Sequence, residues 1–155
     1  MKSKSVCFTG HRDIPAIRVE SIKEELKAVI SELADNGYTE FYAGGASGFD
    51  LIASYEVLEL KKVRKDIKLK LILPYKKDIN NYTSYDRYRQ KSLLERADSI
   101  EYIFERYLPG CFHTRNRRLV DQSSVCIAFL EKTSGGTYYT VKYATEKGLK
   151  VMRIE

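Results

Sequence analysis

Short apolar runs alternate with stretches of helical periodicity along almost the whole chain. The apolar runs predict strands at 5–9, 39–43, 68–74, 99–104, 124–130 and 150–154. Apolar residues recur at helical spacing between them and predict helices at about 18–36, 48–65, 83–97, 114–122 and 136–147. Strands that alternate with helices form right-handed βαβ units around a parallel sheet. The pattern therefore predicts an α/β fold, with a doubly wound, mainly parallel sheet of about six strands and helices on both faces.

Composition narrows the class of protein. The chain has 155 residues, 43% of them hydrophobic and 31% charged, which is typical of a single domain (1–155) with a real core. No apolar run approaches the roughly 20 residues that cross a bilayer, and the apolar segment 6–8 after the basic start is too short for a signal-peptide core. We therefore expect a cytoplasmic protein with no membrane partner.

Cysteine and histidine usage argues against a metal or a disulfide framework. The three cysteines form no C-x-x-C motif, and the two histidines have no partner at zinc-ligand spacing. No metal site is predicted.

The net charge of +6 favours anionic partners without saying which. The basic runs 61–65 and 76–77 are typical of the solvated ends of a helix and a strand. The basic segment 115–118 differs from them, because it lies just before a strand, where a ligand crevice is expected.

Three closely spaced glycines separate the second strand from the second helix. Glycines allow tight turns and close approach of a ligand to the backbone, and the helix start beyond them attracts anions. The spacing matches neither a Walker A loop nor G-x-G-x-x-G, so it predicts only a phosphate or ribose near this loop. The loop residues concerned are Gly44, Gly45, Ala46, Ser47, Gly48 and Asp50. The alternative is a tight turn without ligand, in which Ser47 and Asp50 form an ordinary capping pair.

Two further loops are expected at the same edge of the sheet. In doubly wound folds ligands bind outside the carboxyl ends of the strands, at the topological switch point. The first strand leads into Thr9, Gly10, His11 and Arg12, and the fifth strand leads to Gly135, Gly136 and Thr137 at the start of the last helix. Three polar or glycine-rich loops around one crevice strengthen the prediction of a ligand site.

These motifs resemble those of a known superfamily. The loop 44–50 resembles the S-G-G-A-x-G-I-D loop of the DNA-processing protein DprA (Smf), and the segment 112–119 resembles that family's F-x-x-R-N-R-x-I segment. The segment 134–144 resembles its G-[ST]-x-x-T-x-x-A helix entry. On these motifs the chain is identified as a member of the SLOG superfamily (Smf/DprA and LOG). The small size and the T-G-H-R opening at 9–12 are most similar to the compact YpsA-like branch, common in Firmicutes and their phages.

The resemblance implies a Rossmann-like domain that binds nucleotides or NAD- and ADP-ribose-like molecules; no cofactor is certain. Carried over by position, Gly44, Gly45 and Gly48 line a phosphate or ribose, and 135–137 hold a second phosphate. Arg115 and Asn116 then contact phosphate or sugar, and 9–12 close the near side of the pocket. For Arg115 and the neighbouring Arg117, the alternative is helix-end capping and surface charge. For His11 the alternative is a hydrogen bond to the backbone, and for Asp50 it is capping of the helix. A homodimer is expected from the superfamily alone.

Three functions remain open after the resemblance. The first, which we favour, is non-catalytic binding of a nucleotide, as a sensor or a sequestering module. The second is N-glycosidic cleavage of nucleoside monophosphates, as in the LOG branch. That branch carries a glutamate where this chain has Thr140, which leaves Asp50 as the candidate carboxylate. The third is single-stranded nucleic-acid binding as in DprA, through the basic segment 115–118 and stacking tyrosines such as Tyr138 and Tyr139. No catalytic residue is predicted.

Tyrosine is unusually frequent, with twelve residues and no tryptophan. Tyr82, Tyr85 and Tyr88 recur in one predicted helix beside Arg87 and Arg89. This pattern favours a helix face that packs on the sheet or on a second subunit, with base stacking as the alternative.

Overall fold

The computed structural model describes residues 2–77 and 84–155. Six strands are present: β1 (Ser5–Gly10), β2 (Glu40–Ala43), β3 (Lys68–Tyr75), β4 (Ser99–Phe104), β5 (Val125–Phe129) and β6 (Lys150–Arg153). Five α-helices alternate with them: α1 (Val19–Asp35), α2 (Phe49–Lys61), α3 (Ser84–Arg96), α4 (Cys111–Asp121) and α5 (Gly136–Glu146). Every predicted strand is thus confirmed, and the fold is the predicted α/β fold.

All strand pairs in the sheet are parallel, in the order β4-β3-β2-β1-β5-β6. The chain moves outward from β1 to β4 on one side and then crosses to β5 on the other side of β1. The switch point therefore lies between β1 and β5, which makes the carboxyl ends of these two strands the expected ligand edge.

The core is divided between the two faces of the sheet. One face holds four stacked or edge-packed phenylalanines, Phe8, Phe41, Phe49 and Phe129. The other face packs Cys7 and Cys126 against Leu119 of α4 and Ala144 of α5. All five residues of β5 are buried, as its continuous apolar sequence predicted for a central strand.

Two helix boundaries differ from the predicted ones. Helix α4 begins at Cys111 instead of 114, because Gly110 takes a left-handed conformation (φ 82°) that turns the chain directly into the helix. Helix α2 ends at Lys61, and the chain from Lys62 to Ile67 forms hydrogen-bonded turns into β3. Tyr82, which belongs to the predicted tyrosine pattern, and Thr83, the predicted start of the third helix, lie outside the described residues.

Tyr85 and Tyr88 are 65% and 72% exposed, so this side of α3 does not pack on the core.

None of the helices in the described ranges is both long enough and apolar enough to span a bilayer.

Candidate functional site

A cleft of about 510 Å³ opens at the carboxyl ends of β1 and β5. Most of the residues that the sequence singled out line it: Thr9, Gly10, His11, Arg12, Ala46, Asp50, Arg115, Asn116, Gly135, Gly136 and Thr137. The structure adds Phe8, Asp13, Phe112, Lys132 and Ser134. The three loops therefore meet at one crevice.

A smaller, more enclosed cavity adjoins the cleft on the β3 side. It shares Arg12, Ala46, Phe112 and Arg115 with the cleft. Gly44 and Gly45 line this second cavity, together with the mainly apolar and aromatic side chains of Leu73, Tyr75, Leu94 and Tyr102. Ser47 and Gly48 line neither cavity.

Arg115 is the buried cation of the site, with 5% of its surface exposed. Its Nη1 donates to the carbonyl oxygen of Gly44, and its Nε donates to Oδ1 of Asn116 at 2.7 Å. The guanidinium therefore ties α4 to the glycine loop after β2. Its other terminal nitrogen, Nη2, has no hydrogen-bond partner among the described residues and is available to a ligand anion.

Asp50 organises the glycine loop. Its Oδ2 accepts hydrogen bonds from the amides of Gly44 (3.0 Å) and Ala46 (3.4 Å). Burial raises the pKa of the Asp50 carboxyl above its ordinary value, although the charge of Arg115 opposes that shift. The alternative of a Ser47–Asp50 capping pair is not what forms, because the N-cap of α2 is Gly48 and lacks a side-chain cap bond.

The glycines of the site differ in what the protein itself demands of them. A Cβ on Gly44 would lie 2.6 Å from Nη1 of Arg115, and one on Gly48 (φ 75°) would lie 2.2 Å from the carbonyl oxygen of Arg12. A Cβ on Gly10 would lie 2.4 Å from the ring of Phe49. These three glycines are explained by packing alone. A Cβ on Gly136 meets nothing within 4 Å, so neither packing nor backbone strain requires a glycine there.

The first turn of α5 is open toward the cleft. Gly135 (φ 96°) is its N-cap and gives no side-chain bond to the helix start. The amide of Tyr139 is the first to bond inside the helix, to the carbonyl oxygen of Gly135 at 3.1 Å. The amides of 136–138 are therefore free to bind an anion, which the positive end of the helix also favours.

His11 joins the ends of β1 and β5. Its Nε2 accepts a hydrogen bond from the amide of Glu131 at 2.9 Å, and its ring packs edge-on against Phe129. Burial, followed by the charge of Lys132, lowers the pKa of His11, in keeping with a neutral ring that accepts a bond from backbone.

Positive charge is concentrated where the two cavities meet. Arg12 is exposed, lies over the ring of Phe112 at 5.1 Å from its centroid, and has no carboxylate partner within 2–77 and 84–155. Partial burial, and then the charges of Arg12 and Arg115, lower the pKa of Lys77. Lys132 lines the cleft as well. The Asp50 carboxylate offsets part of this positive charge, and a ligand anion would offset more of it.

Several residues of the site carry no clear signal in the sequence. Lys77 is exposed just after β3, as the basic run 76–77 predicts, but it also lines the smaller cavity, which the sequence does not reveal. Asp13 follows directly on the T-G-H-R opening and adds a second carboxylate to the cleft besides Asp50. Phe112 stood in the motif that marked Arg115, one helical turn before it, so its spacing could have placed it in the site.

The remaining residues of the basic segment 115–118 are occupied elsewhere. Arg118 forms an ion pair with Glu101 through two nitrogens, at 3.0 and 3.2 Å. Arg117 lies over the ring of Tyr143, on the outer side of α4 and α5. Thr140, at the position of the LOG glutamate, donates its hydroxyl to the carbonyl oxygen of Gly136 at 2.8 Å.

Comparison with known proteins gives relatives of similar sequence and of similar fold. UPF0398 proteins of Bacillus thuringiensis (strain Al Hakam) and Bacillus cereus (strain B4264) are 26% identical over 133 residues, which are 84% of this chain and 72% of theirs. The structure is similar to that of DNA processing protein A (DprA) from Streptococcus pneumoniae, with a TM-score of 0.71 and 19% identity. It is also similar to DprA from Helicobacter pylori, whose single-stranded DNA binding mode has been described, with a TM-score of 0.70 and 22% identity.

The two DprA chains are longer than this one. The match covers 98% and 96% of this chain, but 50% of the S. pneumoniae chain and 64% of the H. pylori chain. At these identities the likeness concerns the fold. The profile of the YspA SLOG family matches residues 6–153. The chain therefore belongs to the YspA SLOG family.

Proposed function

We propose that this chain acts as a single nucleotide-binding domain, which binds a nucleotide or an NAD- or ADP-ribose-derived molecule without catalysis, as a sensor or sequestering protein. One observation carries the proposal: two groups that can bind phosphate line the same cleft. They are the buried guanidinium of Arg115, whose Nη2 has no hydrogen-bond partner among the described residues, and the open start of α5. Both are fixed by the fold before a ligand arrives. Such preorganised donors bind phosphate without a further ordering cost.

The surroundings of this pair fit the rest of a nucleotide. Oδ1 of Asp50 has no partner among the described residues and is available to a ribose hydroxyl. Tyr75, Tyr107 and Phe112 form a cluster of edge-packed rings beside Arg12, which offers a base a surface for stacking. Phosphate, sugar and base contacts are thus all available along one cleft and its adjoining cavity.

Non-catalytic binding is favoured because Thr140 replaces the carboxylate that LOG-type chemistry uses, and its hydroxyl is bonded to the helix backbone. One observation keeps the glycosidase as a second candidate. Asp50 is a cleft carboxyl whose pKa is raised by burial, and Asp13 lies in the same cleft. Acid–base cleavage of a glycosidic bond uses two carboxyl groups, and a raised pKa suits one of them to act as the acid.

DprA-like binding of single-stranded nucleic acid is the third candidate. The similarity of fold to DprA supports it. The engagement of Arg118 with Glu101 and of Arg117 with Tyr143 weighs against a continuous basic track along α4.

A thermal-shift panel of AMP, NAD, ADP-ribose and a single-stranded DNA oligonucleotide tests the proposal. At a hundredfold excess over its dissociation constant a ligand adds about 2.7 kcal/mol of stability, which is roughly 5–10 °C in Tm for a domain of this size. We expect such a shift with a small nucleotide and no release of free base on incubation. A panel without any shift would overturn the proposal, and a shift with DNA alone would favour the third candidate. Base release that disappears in Asp50→Asn would establish the glycosidase instead.

A further inference from the structure

The sheet ends at β4, and the chain segment from α3 to the loop after β4 holds most of the exposed large hydrophobic side chains of the described residues. Nine large hydrophobic side chains are exposed in the described ranges, and six of them lie between α3 and the loop after β4. These six are Tyr85, Tyr88, Ile100, Tyr102, Tyr107 and Leu108. Single exposed apolar residues are ordinary, but a concentration of them in one segment marks an interaction surface.

The strand itself is poorly covered. Ile100 and Tyr102 are each 37% exposed, although their neighbours Leu71 and Leu73 on β3 are buried on the same face. Ile100 and Tyr102 are therefore less completely covered than the β3 residues beside them. As the terminal strand of the sheet, β4 also presents one row of backbone N–H and C=O groups to its outer side.

The two ends of the sheet are protected differently. At the other end, β6 is four residues long and carries the exposed charges of Lys150 and Arg153, which hinder pairing with another strand. The six residues of β4 include a single charge, Glu101, which is engaged by Arg118 of the same chain. Within the described residues, neither the length of β4 nor its charge thus protects this edge against strand addition.

We infer that β4 pairs antiparallel with the β4 of a second copy of this chain, about a two-fold axis at Tyr102, so that the two sheets become continuous. A two-fold axis perpendicular to the sheet keeps each residue opposite one of the same parity, because facing residues must point to the same side. Three registers then have to be compared, with the axis at Glu101, Tyr102 or Ile103.

The axis at Tyr102 is the register that charge and packing favour. It places Ile100 opposite Phe104 of the second copy, Tyr102 opposite itself, and Glu101 opposite Ile103. An axis at Glu101 would place two carboxylates directly opposite each other, which is destabilising. An axis at Ile103 would shorten the paired segment. The chosen register gives two aromatic–aliphatic pairs and one aromatic pair on the exposed apolar face.

Sedimentation velocity over a concentration series tests the dimer. We expect the mass to rise with concentration from that of the monomer toward twice that value. Ile100→Lys introduces an edge lysine and removes two cross-strand pairs per dimer, so it should weaken dimerisation roughly tenfold or more. The control is Ile17→Lys, since Ile17 is 92% exposed and distant in sequence from β4. Thermal unfolding of dilute Ile100→Lys establishes that its monomer is folded.

Disulfide trapping tests the register. In the proposed dimer Tyr102→Cys places two thiols on facing residues with Cα atoms about 4.5–5.5 Å apart, within disulfide range. The control Glu101→Cys leaves its two Cα atoms about 8 Å apart, beyond that range. The native Cys7, Cys111 and Cys126 are buried and do not compete. Selective trapping of Tyr102→Cys with oxidised glutathione supports the proposal. A monomer at all concentrations, or a dimer insensitive to Ile100→Lys that neither variant traps, overturns it.

Discussion

Arg12 and Arg115 lie in the same cleft, but their surroundings separate their roles. Arg115 is buried and bonded to Gly44 and Asn116, so it supports the fold as well as any ligand. Arg12 is exposed and contacts the protein mainly through the ring of Phe112. Removal of Arg12 therefore isolates ligand binding, whereas removal of Arg115 mixes binding with stability.

We predict that Arg12→Gln weakens the binding of ADP-ribose tenfold or more, since a charged hydrogen bond contributes about 1.5–3 kcal/mol. The unfolding free energy should change by less than about 1 kcal/mol, because the residue is exposed. Isothermal titration calorimetry and urea unfolding measure the two effects. The control is Arg117→Gln, a charge removed from the outer side of α4. Equal losses of affinity in both variants would contradict the assignment of Arg12.

Arg115→Ala is expected to lower the unfolding free energy by about 3 kcal/mol. It removes two hydrogen bonds from a charged donor and leaves Asp50 buried without its nearest positive charge. Urea unfolding measures the loss, with Arg118→Ala as the control, because the ion pair of Arg118 is more exposed than the contacts of Arg115. A loss below about 1 kcal/mol would mean that Arg115 does not hold the glycine loop.

The lowered pKa of His11 predicts that the stability of the protein depends on pH. Its pKa in the folded protein is lowered, so the unfolded chain binds the proton more readily. The stabilisation by neutral His11 is complete above its ordinary value of 6.5 and is lost as the pH falls toward the lowered value. Urea unfolding between pH 7 and pH 5 should show a steeper loss in the native protein than in His11→Gln, whose amide oxygen can accept the same bond. Parallel curves would contradict this role.

At the scale of elements, the sequence predicted each strand because apolar runs between turn residues are a local signal. Helix boundaries that depend on backbone conformation are harder to predict from the sequence. The start of α4 at Cys111 follows from the left-handed Gly110, which no apolar period reveals. The roles of the glycines were equally hidden, because the neighbours of Gly44 and Gly48 come from α4 and from the end of β1.

The open start of α5 allows binding to be separated from stability by a single substitution. Gly136→Ala should leave stability unchanged or raise it slightly, by up to about 1 kcal/mol, because nothing lies near the added methyl group. It should nevertheless weaken ADP-ribose binding if phosphate approaches the backbone there. Gly48→Ala is the matched contrast, since its methyl group meets the Arg12 carbonyl and should destabilise the fold. Unchanged affinity in Gly136→Ala, measured by calorimetry, would place the phosphate elsewhere.

At the scale of the whole molecule, the alternation of strands and helices was sufficient to predict the doubly wound sheet and the edge at which the loops converge. It could not predict which side chains meet there across the fold. Lys77 lies after β3 and reaches the same cavity as Arg12 and Arg115, which lie after β1 and on α4. Such a meeting depends on strand order and on side-chain direction, and neither is encoded in a local pattern.

We propose the cleft between β1, β5 and the start of α5 as a nucleotide site. Titration of ¹⁵N-labelled protein with ADP-ribose, followed by two-dimensional amide NMR, tests this proposal most directly. We expect the largest shifts on the amides of Arg12, Ala46, Gly136 and Thr137, which line the cleft. We also expect unchanged amides along the outer side of α4 and α5, around Arg117 and Tyr143. An unperturbed spectrum, or shifts confined to that outer side, would contradict the proposal.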